Sequence, residues 1–309
     1  MSNPSAAPGH PLRIVDAHVH FYDSDVNRHS FLVEKDDVYE ALVGDYSSLP
    51  KTYLLESYLK DSKSCHVDGI IWHEYLSDDA VQETRWAQRL AESSAVPLAL
   101  VALVDFLDPR LEQRLEVYRS LPNVTAVREH LGWDMANPLK RFAKRSDLLS
   151  DPAWQSGLAR LRGRDFKCGL EVFAPQLPDL LKVVRLYPDL GFTLAVLAWP
   201  LDLTPAGFAQ WRKDIGELSG CENVCADISA IECIFGMQWT LEQVSPWVLS
   251  LIETFGPNRC MFGSHLPIAN LSFGFERLYD AYQQMIAGFS ENERDKMFRG
   301  VANDWFRVR

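Results

Sequence analysis

The first residues able to do chemistry are two histidines, His18 and His20, which are separated by one residue near the start of the chain. Asp16, His18 and His20 alternate with apolar residues, and a period of two is typical of a strand whose alternate side chains face one side. Two imidazoles that converge at a strand end can hold a divalent metal such as zinc. The pair can equally serve as hydrogen-bonding groups at a strand terminus, so the other elements must decide between these interpretations.

Further polar residues follow later apolar runs that have the length and composition of buried strands. In chain order they are Glu74 (with His73 as its alternative), Arg128, His130, Glu171, Asp227 and His265. Arg128 and His130 lie two residues apart and therefore face one way. Each acidic residue taken alone could simply close hydrogen bonds with a loop. Together they indicate a site, because buried charges are costly unless they are paired or bound to a metal.

Eight units, each a strand followed by a helix, would position these residues. The predicted strands cover residues 14–20, 67–74, 97–105, 124–130, 167–173, 191–197, 223–228 and 259–263. The predicted helices cover residues 55–64, 78–94, 109–121, 151–162, 175–187, 204–219, 240–255 and 272–288, with a closing helix at 291–306. This alternation implies parallel strands joined by right-handed crossovers. It predicts an α/β fold, a (β/α)8 TIM barrel formed by one domain over residues 12–309.

An open doubly wound sheet is the competing architecture. Such sheets usually carry a glycine-rich phosphate-binding turn after the first strand. This chain has Asp-Ala-His-Val-His-Phe there instead, which favours the barrel. In a barrel the carboxyl ends of all strands share one face, and the eighth strand neighbours the first. His265 is therefore expected beside His18 and His20.

Two long loops, residues 24–53 and 131–152, follow predicted strands and should rise over the same face. The first is predicted to be irregular. The second contains a basic cluster of Lys140, Arg141, Lys144 and Arg145. These four residues have the spacing of a solvated helical face. The alternative is a surface that captures a substrate bearing a carboxylate.

The composition is that of a soluble globular protein: 309 residues, of which 47% are hydrophobic and 24% charged. A net charge of −11 argues against nucleic acid or an anionic membrane as the main partner. Residues 1–11 lack the features of a signal peptide and are predicted to form a flexible arm. The six cysteines contain no Cys-x-x-Cys pair, which suits free thiols in a reducing cytoplasm. We expect a cytoplasmic protein with a small-molecule substrate, and the oligomeric state stays open.

Four motifs, spread over nearly the whole chain, carry a resemblance to a known family. They are Asp16-Ala-His-Val-His-Phe-Tyr-Asp23, Val127-Arg-Glu-His-Leu-Gly-Trp-Asp134, Pro175-Gln-Leu-Pro-Asp179, and Arg259-Cys-Met-Phe-Gly-Ser264 followed by Pro267. In this order they resemble the amidohydrolase-related (amidohydrolase 2) family, which contains L-fuconolactone and L-rhamnonolactone hydrolases and 2-pyrone-4,6-dicarboxylate lactonases. The resemblance implies a barrel hydrolase acting on lactones or related carboxylic compounds.

The sequence departs from the family pattern at three strand ends. Family members often have an aspartate, a general base or metal ligand, where this chain has His265. The sixth strand often carries a histidine, whereas Val196-Leu-Ala-Trp-Pro200 has none. The seventh strand commonly has a lysine in place of Asp227. Some members are metal-free, so the metal is not implied by the family alone.

We therefore predict that His18, His20 and His265 form a zinc site with a fourth position open for water. Asp227 would be the general base, while Arg128 and His130 would hold a substrate carboxylate or the oxyanion. A metal-free version makes His265 the base. The remaining substrate-binding candidates are Glu74, Glu171, Tyr22 and Trp133, the last two because aromatic rings just past strand ends can cover a ring-shaped substrate.

The predicted reaction is hydrolysis of the C–O ester bond of a small five- or six-membered lactone. A carboxylated lactone would be preferred over a neutral sugar lactone, because the predicted pocket is rich in cationic groups. Two alternatives remain at this point. One is a metal-dependent decarboxylase of the same superfamily, and the other is a barrel that binds a metabolite without turnover.

Overall fold

Eight parallel strands of the chain hydrogen-bond side by side in sequence order. The computed structural model describes residues 11–308; residues 1–10, nearly all of the predicted N-terminal arm, lie outside the described residues. The strands are β1 (Leu12–Val19), β2 (Tyr22–Asp23), β3 (Thr52–Tyr53), β4 (Cys65–His73), β5 (Leu98–Leu103), β6 (Val124–His130), β7 (Lys167–Glu171), β8 (Phe192–Leu194), β9 (Val224–Ile228) and β10 (Cys260–Phe262). β2 and β3 form a small antiparallel pair, and the other eight form the barrel sheet.

Helices follow the barrel strands and surround the sheet. They are α1 (Ser30–Val33), α2 (Asp37–Val43), α3 (Leu55–Asp61), α4 (Ala80–Ser93), α5 (Leu111–Arg119), α6 (Pro152–Leu158), α7 (Leu177–Leu186), α8 (Pro205–Ser219), α9 (Ile231–Phe235), α10 (Leu241–Phe255), α11 (Gly274–Met285), α12 (Glu291–Asp295) and α13 (Val301–Phe306). The Thr204 hydroxyl caps α8 by accepting from the Gly207 amide, and Pro205 opens the helix. The predicted single-domain TIM barrel is confirmed.

The barrel closes where the end of β1 meets the segment after β10. The His265 amide donates to the His18 carbonyl (2.7 Å), and the His20 amide donates to the Leu266 carbonyl (2.8 Å). Gly263 makes this approach possible, because a Cβ at that position would lie 2.6 Å from the His18 Cβ and 2.8 Å from the His18 nitrogen. The closing seam, residues 18–20 with 263–266, therefore joins the first and last strands at their carboxyl ends.

Apolar side chains fill the barrel on both sides of the sheet. The larger cluster lies between strands and helices and includes the buried Trp72, Trp154 and Trp211. A smaller cluster includes Val15 and Ala17 of β1 and side chains of the closing helix α13 such as Phe306. These two layers leave the carboxyl ends of the strands as the place where polar side chains gather.

Two segments differ from the sequence expectation. The loop 24–53 is not irregular throughout, because it contains α1, α2 and β3, which pairs with β2 just before the loop. The sixth barrel strand ends early, at Leu194, and Val196, Leu197, Ala198 and Trp199 follow with φ of 50, 53, 57 and 39°. Four consecutive non-glycine residues in this left-handed region cost roughly 1–2 kcal/mol each, so packing must hold them there. No helix within residues 11–308 combines the length and apolar character needed to cross a membrane.

Candidate active site

A narrow cavity lies at the carboxyl ends of the barrel strands. Its volume is about 40 Å³. The residues that line it are His18, His20, Tyr39, Leu42, Val43, Tyr75, Leu76, Arg128, His130, Phe142, Glu171, Val196, Trp199 and His265. Helix α2 of the first long loop supplies the cover through Tyr39, Leu42 and Val43. The structure thus gathers residues from the first and last barrel strands and from several strands between them around one small space.

Three buried imidazoles form the floor of the cavity. The rings of His18 and His20 lie 5.0 Å apart, and His265 lies 5.1 Å from the first and 5.3 Å from the second, measured between centroids. Each can offer one nitrogen to a common point, with these nitrogens within 4.8 Å of one another. The expected position of His265 beside the His18–His20 pair is the one observed. This histidine cluster can hold a metal ion.

The inner ring nitrogen of each histidine already has acceptors. His20 Nδ1 lies 3.1 Å from the backbone carbonyls of His73 and Glu74, which fixes the proton on Nδ1 because carbonyls only accept. His265 Nδ1 donates to Glu232 at 2.6 Å. His18 Nδ1 lies 2.9 Å from the Asp227 carboxylate.

The outer nitrogen of His18, Nε2, is buried and has no hydrogen-bond partner among the described residues. A buried nitrogen without a partner is costly, and a cation would satisfy it. Acceptors behind Nδ1 that leave Nε2 free are the usual surroundings of metal-binding histidines. Neutral nitrogen donors in a set of three suit zinc with one further position open. The residues present therefore fit the zinc ion that the sequence predicts.

Burial sets the protonation states of the histidines in the cavity floor and of Asp227 behind them. It lowers the pKa of His18 and of His20 well below 6.5, so both rings are neutral at pH 7. Burial also raises the pKa of Asp227 to about 7, although the hydrogen bond from Ser229 acts to lower it. A cation on His18 Nε2 would offset that burial and favour the ionised carboxylate behind the ring.

Asp227 does not occupy the position that the sequence suggested for a general base. It is buried, it is not among the residues that line the cavity, and it lies on the Nδ1 side of His18. Ser229 donates to the same carboxylate oxygen at 2.8 Å. Asp227 and Ser229 are thus placed to orient His18 rather than to contact a substrate.

Asp16 was expected to share a side with the two histidines, and this expectation is wrong. The ladder between β1 and β4 is irregular between Asp16 and Val19. Asp16 accepts hydrogen bonds from the Tyr58 hydroxyl (3.0 Å) and the Ser264 amide (2.8 Å), whereas His18 turns into the cavity. The kink, which simple alternation cannot show, is what brings the histidines to the cavity.

A network of four charged groups forms one wall. Arg128 Nε donates to Glu74 at 2.6 Å, and its Nη1 donates to Glu171 at 2.5 Å. His130 lies between the same carboxylates, with Nε2 2.8 Å from Glu74 and Nδ1 2.9 Å from Glu171. This ion network, Glu74, Arg128, His130 and Glu171, contains two cations and two anions.

Mutual pairing sets the protonation of the network. Burial alone would lower the pKa of His130, but Glu171 and Glu74 outweigh it and raise the pKa to about 9. Burial would likewise raise the pKa of Glu171, but Arg128 and His130 hold it well below its ordinary value. All four groups are therefore ionised at neutral pH, and their charges cancel.

The two aromatic candidates do not line the cavity. Tyr22 is fully buried, its hydroxyl donates to the Pro50 carbonyl (2.7 Å), and its ring stacks on Tyr75 at 4.6 Å. Trp133 contacts Arg141 instead, with the guanidinium 4.8 Å from the ring centroid. Their prediction as substrate-binding residues rested on nearness to strand ends, which does not fix the direction of a side chain.

Glu232, Tyr39 and Leu42, which sequence reasoning missed, support or line the cavity. His73, the alternative to Glu74 in the sequence prediction, supports it as well. Glu232 holds His265, and His73 stacks on His18 with ring centroids 3.9 Å apart. His73 Nε2 lies 3.1 Å from the Ala17 carbonyl, so this ring supports His18 and does not face the cavity. Glu232 follows Asp227 by five residues after a strand end, which was an available signal. Tyr39 and Leu42 lie in a loop that gave none.

Comparisons with known proteins place this architecture in a family. The amidohydrolase family matches residues 15–308. The chain belongs to the amidohydrolase family. An uncharacterised protein of Sinorhizobium fredii is 27% identical over 96% of this amidohydrolase and 99% of its own length. An L-fucono-1,5-lactonase of Burkholderia ambifaria is 23% identical over 74% of this chain and 76% of its own.

A solved structure shows the same fold. It is an amidohydrolase from Burkholderia multivorans with bound zinc, which superposes with a TM-score of 0.79 at 20% identity and covers 96% of this chain and 100% of that one. The resemblance stated from the motifs is thereby confirmed at the level of family and fold. In this amidohydrolase the histidine that follows the eighth barrel strand, β10, is His265, and its Nδ1 donates to Glu232.

Proposed function

We propose that this amidohydrolase opens a small lactone ring by attack of water on the ester carbonyl, with zinc held by His18, His20 and His265. One observation carries the proposal: three buried imidazoles present their outer nitrogens to a common cavity while acceptors hold their inner nitrogens. The relatives from Burkholderia that are named L-fucono-1,5-lactonases support the type of bond.

Zinc bound by these nitrogens would act as a Lewis acid on the carbonyl and would lower the pKa of water. Asp227, two backbone carbonyls and Glu232 engage the inner nitrogens of His18, His20 and His265, which directs the outer nitrogens toward the cavity. Asp227 and Glu232 are therefore positioning residues in this proposal.

Glu171 is the carboxylate that we assign to proton transfer. It is a carboxylate that lines the cavity. Arg128 and His130 keep it ionised and so able to accept a proton, although their pairing lowers its pKa and makes it a weaker base than a free carboxylate. In the proposed reaction Glu171 accepts the proton of the attacking water as the carbon–oxygen bond forms. It returns that proton to the ring oxygen as the ester bond breaks, so water and lactone become one hydroxy acid.

The test combines metal analysis with a panel of sugar, aliphatic, aromatic and dicarboxylate lactones. We expect about one zinc per chain after supply of the ion, and formation of the hydroxy acid from at least one lactone class. His265→Gln should lose zinc and reduce kcat/KM at least 100-fold. His66→Gln is the matched control, because the His66 side chain is largely exposed at the opposite end of a strand.

Two results would contradict the proposal. Release of carbon dioxide from aromatic acids, with no lactone opened, would favour the decarboxylase. Full activity in protein shown to be free of metal and unaffected by chelators would refute the zinc site, and it would make His265, backed by Glu232, the base.

A further inference from the structure

We infer that the substrate is a neutral lactone with an apolar substituent, and that neither a carboxylated lactone nor a sugar lactone fits this cavity as well. The inference rests on the proposed lactone hydrolysis and specifies its substrate class. It replaces the carboxylate preference predicted from the sequence, because the structure pairs the cationic groups on which that prediction depended.

Four of the five N–H groups of Arg128 are already engaged. Besides its contacts to Glu74 and Glu171, its Nη2 donates to the Glu74 backbone carbonyl at 2.8 Å, and its Nη1 lies 3.4 Å from His73 Nδ1. A carboxylate that binds Arg128 through two of its N–H groups would have to displace one of the two carboxylates already there. Those carboxylates are buried, and displacing them would leave a charge without its partner.

His130 is likewise committed on both ring nitrogens, to Glu74 and Glu171. The ion network has no net charge, and the carboxylate groups of Asp227 and Glu232 behind the histidines would offset the charge of a bound zinc ion. The cavity therefore provides little attraction to offset the loss of hydration of an anionic substrate. A carboxylate brought into the cavity would also face the negative charge of Glu171, which lines it.

The basic cluster on the second loop does not supply the missing charge. Among its members, Lys144 pairs with Asp105 and Arg145 with Asp147. Arg141 donates to the backbone carbonyls of Asp134 and Met135. None of the cluster's four residues lines the cavity or the small space beside it.

The walls above the histidine cluster are apolar. Five apolar side chains line the cavity: Leu42 and Val43 of α2, Phe142, Val196 and Trp199. Phe173 adds a further ring to the adjoining space. Methyl, alkyl or aryl groups gain from burial against such walls, whereas a ring that carries several hydroxyls would lose its hydration there.

The polar groups of the cover are also engaged. The hydroxyls of Tyr39 and Tyr75 bond each other at 2.7 Å, so one donor–acceptor pair is already used internally. A sugar lactone would therefore meet few free partners for its hydroxyls. A flat, weakly polar ring needs only the ester group to reach the histidine cluster, and it fits a narrow cavity.

Three lactones with the same six-membered ring test this inference. They are δ-hexalactone, the same lactone with a carboxylate in place of its methyl group, and glucono-δ-lactone. We expect kcat/KM for δ-hexalactone to exceed that for each of the other two at least 30-fold. A preference for the carboxylated or the sugar lactone would overturn the inference while leaving the hydrolase proposal intact. If none of the three lactones is opened but another lactone in the wider panel is, only the substrate class is wrong. If no lactone is opened at all, both the substrate inference and the hydrolase proposal are refuted.

A charge variant tests the reason for the preference. Glu74→Gln leaves the ion network with an excess positive charge, so the ratio of kcat/KM for the carboxylated lactone to that for δ-hexalactone should rise at least tenfold. Glu40→Gln makes the same charge change on α2, where Glu40 pairs with Lys35 outside the cavity, and should leave the ratio unchanged. An unchanged ratio in folded Glu74→Gln would overturn the inference.

If Glu74→Gln does not fold, Leu42→Lys makes the same test from the cover. Leu42 is partly exposed and lines the cavity, so it can accept a longer polar side chain. The added ammonium group should raise the same ratio at least tenfold. A ratio equal to that of the wild type would overturn the inference.

Discussion

Raising the pH from 6.5 to 10 should remove about 2–4 kcal/mol of stability through His130 alone. In the folded protein Glu171 and Glu74 raise the pKa of this histidine to about 9, although burial opposes them. In the unfolded chain the pKa returns to about 6.5. Because the folded state binds the proton more tightly, the stabilisation is fully present below pH 6.5 and is lost as the pH rises through 9.

The magnitude follows from the two pKa values. The interval from 6.5 to about 9, at about 1.4 kcal/mol per pH unit, corresponds to about 3 kcal/mol. The His130 side chain is only 17% exposed, so solvent screening reduces this figure little. An effect of this size is a large fraction of the stability of an ordinary domain.

Urea denaturation of the wild type and of His130→Gln at pH 6.5, 8 and 10 provides the measurement. We expect the difference in free energy of unfolding between the two proteins to shrink by about 2–4 kcal/mol over this range. Groups that titrate in both proteins cancel in the difference, including Glu129, whose pKa burial raises to about 8. A difference that stays constant between pH 6.5 and 10 would show that His130 is not held as an imidazolium by the two carboxylates.

Three further changes have expected outcomes. Glu232→Gln should weaken zinc binding about 10–100-fold, measured by competition with a chelator, because His265 loses the carboxylate that orients it. Ala198→Gly should raise the free energy of unfolding by about 1 kcal/mol, since Ala198 has a φ of 57°; an unchanged or lower value would show that this turn is not strained. Gly157→Ala should lower the melting temperature despite the better helix propensity of alanine, because its Cβ would lie 2.0 Å from the Phe106 carbonyl oxygen.

The barrel could be predicted because its evidence is repeated along the chain. Each apolar run followed by a helical segment supports the same architecture, and closure then places His265 beside His18 and His20 without any knowledge of contacts. The polar residues at strand ends could be assigned to one face for the same reason. Errors of a few residues at element boundaries did not disturb this inference.

What the sequence did not show depends on local geometry and on pairing. The run from Val196 to Trp199 is apolar and has the composition of a strand, and only the packed structure explains its left-handed turn. Arg128 was correctly expected near the histidines, but its side chain contacts two carboxylates that come from other strands. Residue types at strand ends show which charged groups are present. The net charge that a substrate meets in the cavity depends on which of these groups form ion pairs with each other.

The closing seam has a consequence for when the metal site can form during synthesis and folding. His18 and His20 leave the ribosome well before His265, and the seam brings them together only when the segment after β10 has joined β1. A contact between distant parts of a chain carries a large loop-closure cost and forms late in folding. An incomplete chain therefore holds at most two of the three nitrogens. An ion that binds all three nitrogens would stabilise the closed barrel, by about 2.7 kcal/mol at an ion concentration 100 times its Kd. It would slow hydrogen exchange at the amides of His20 and His265 first.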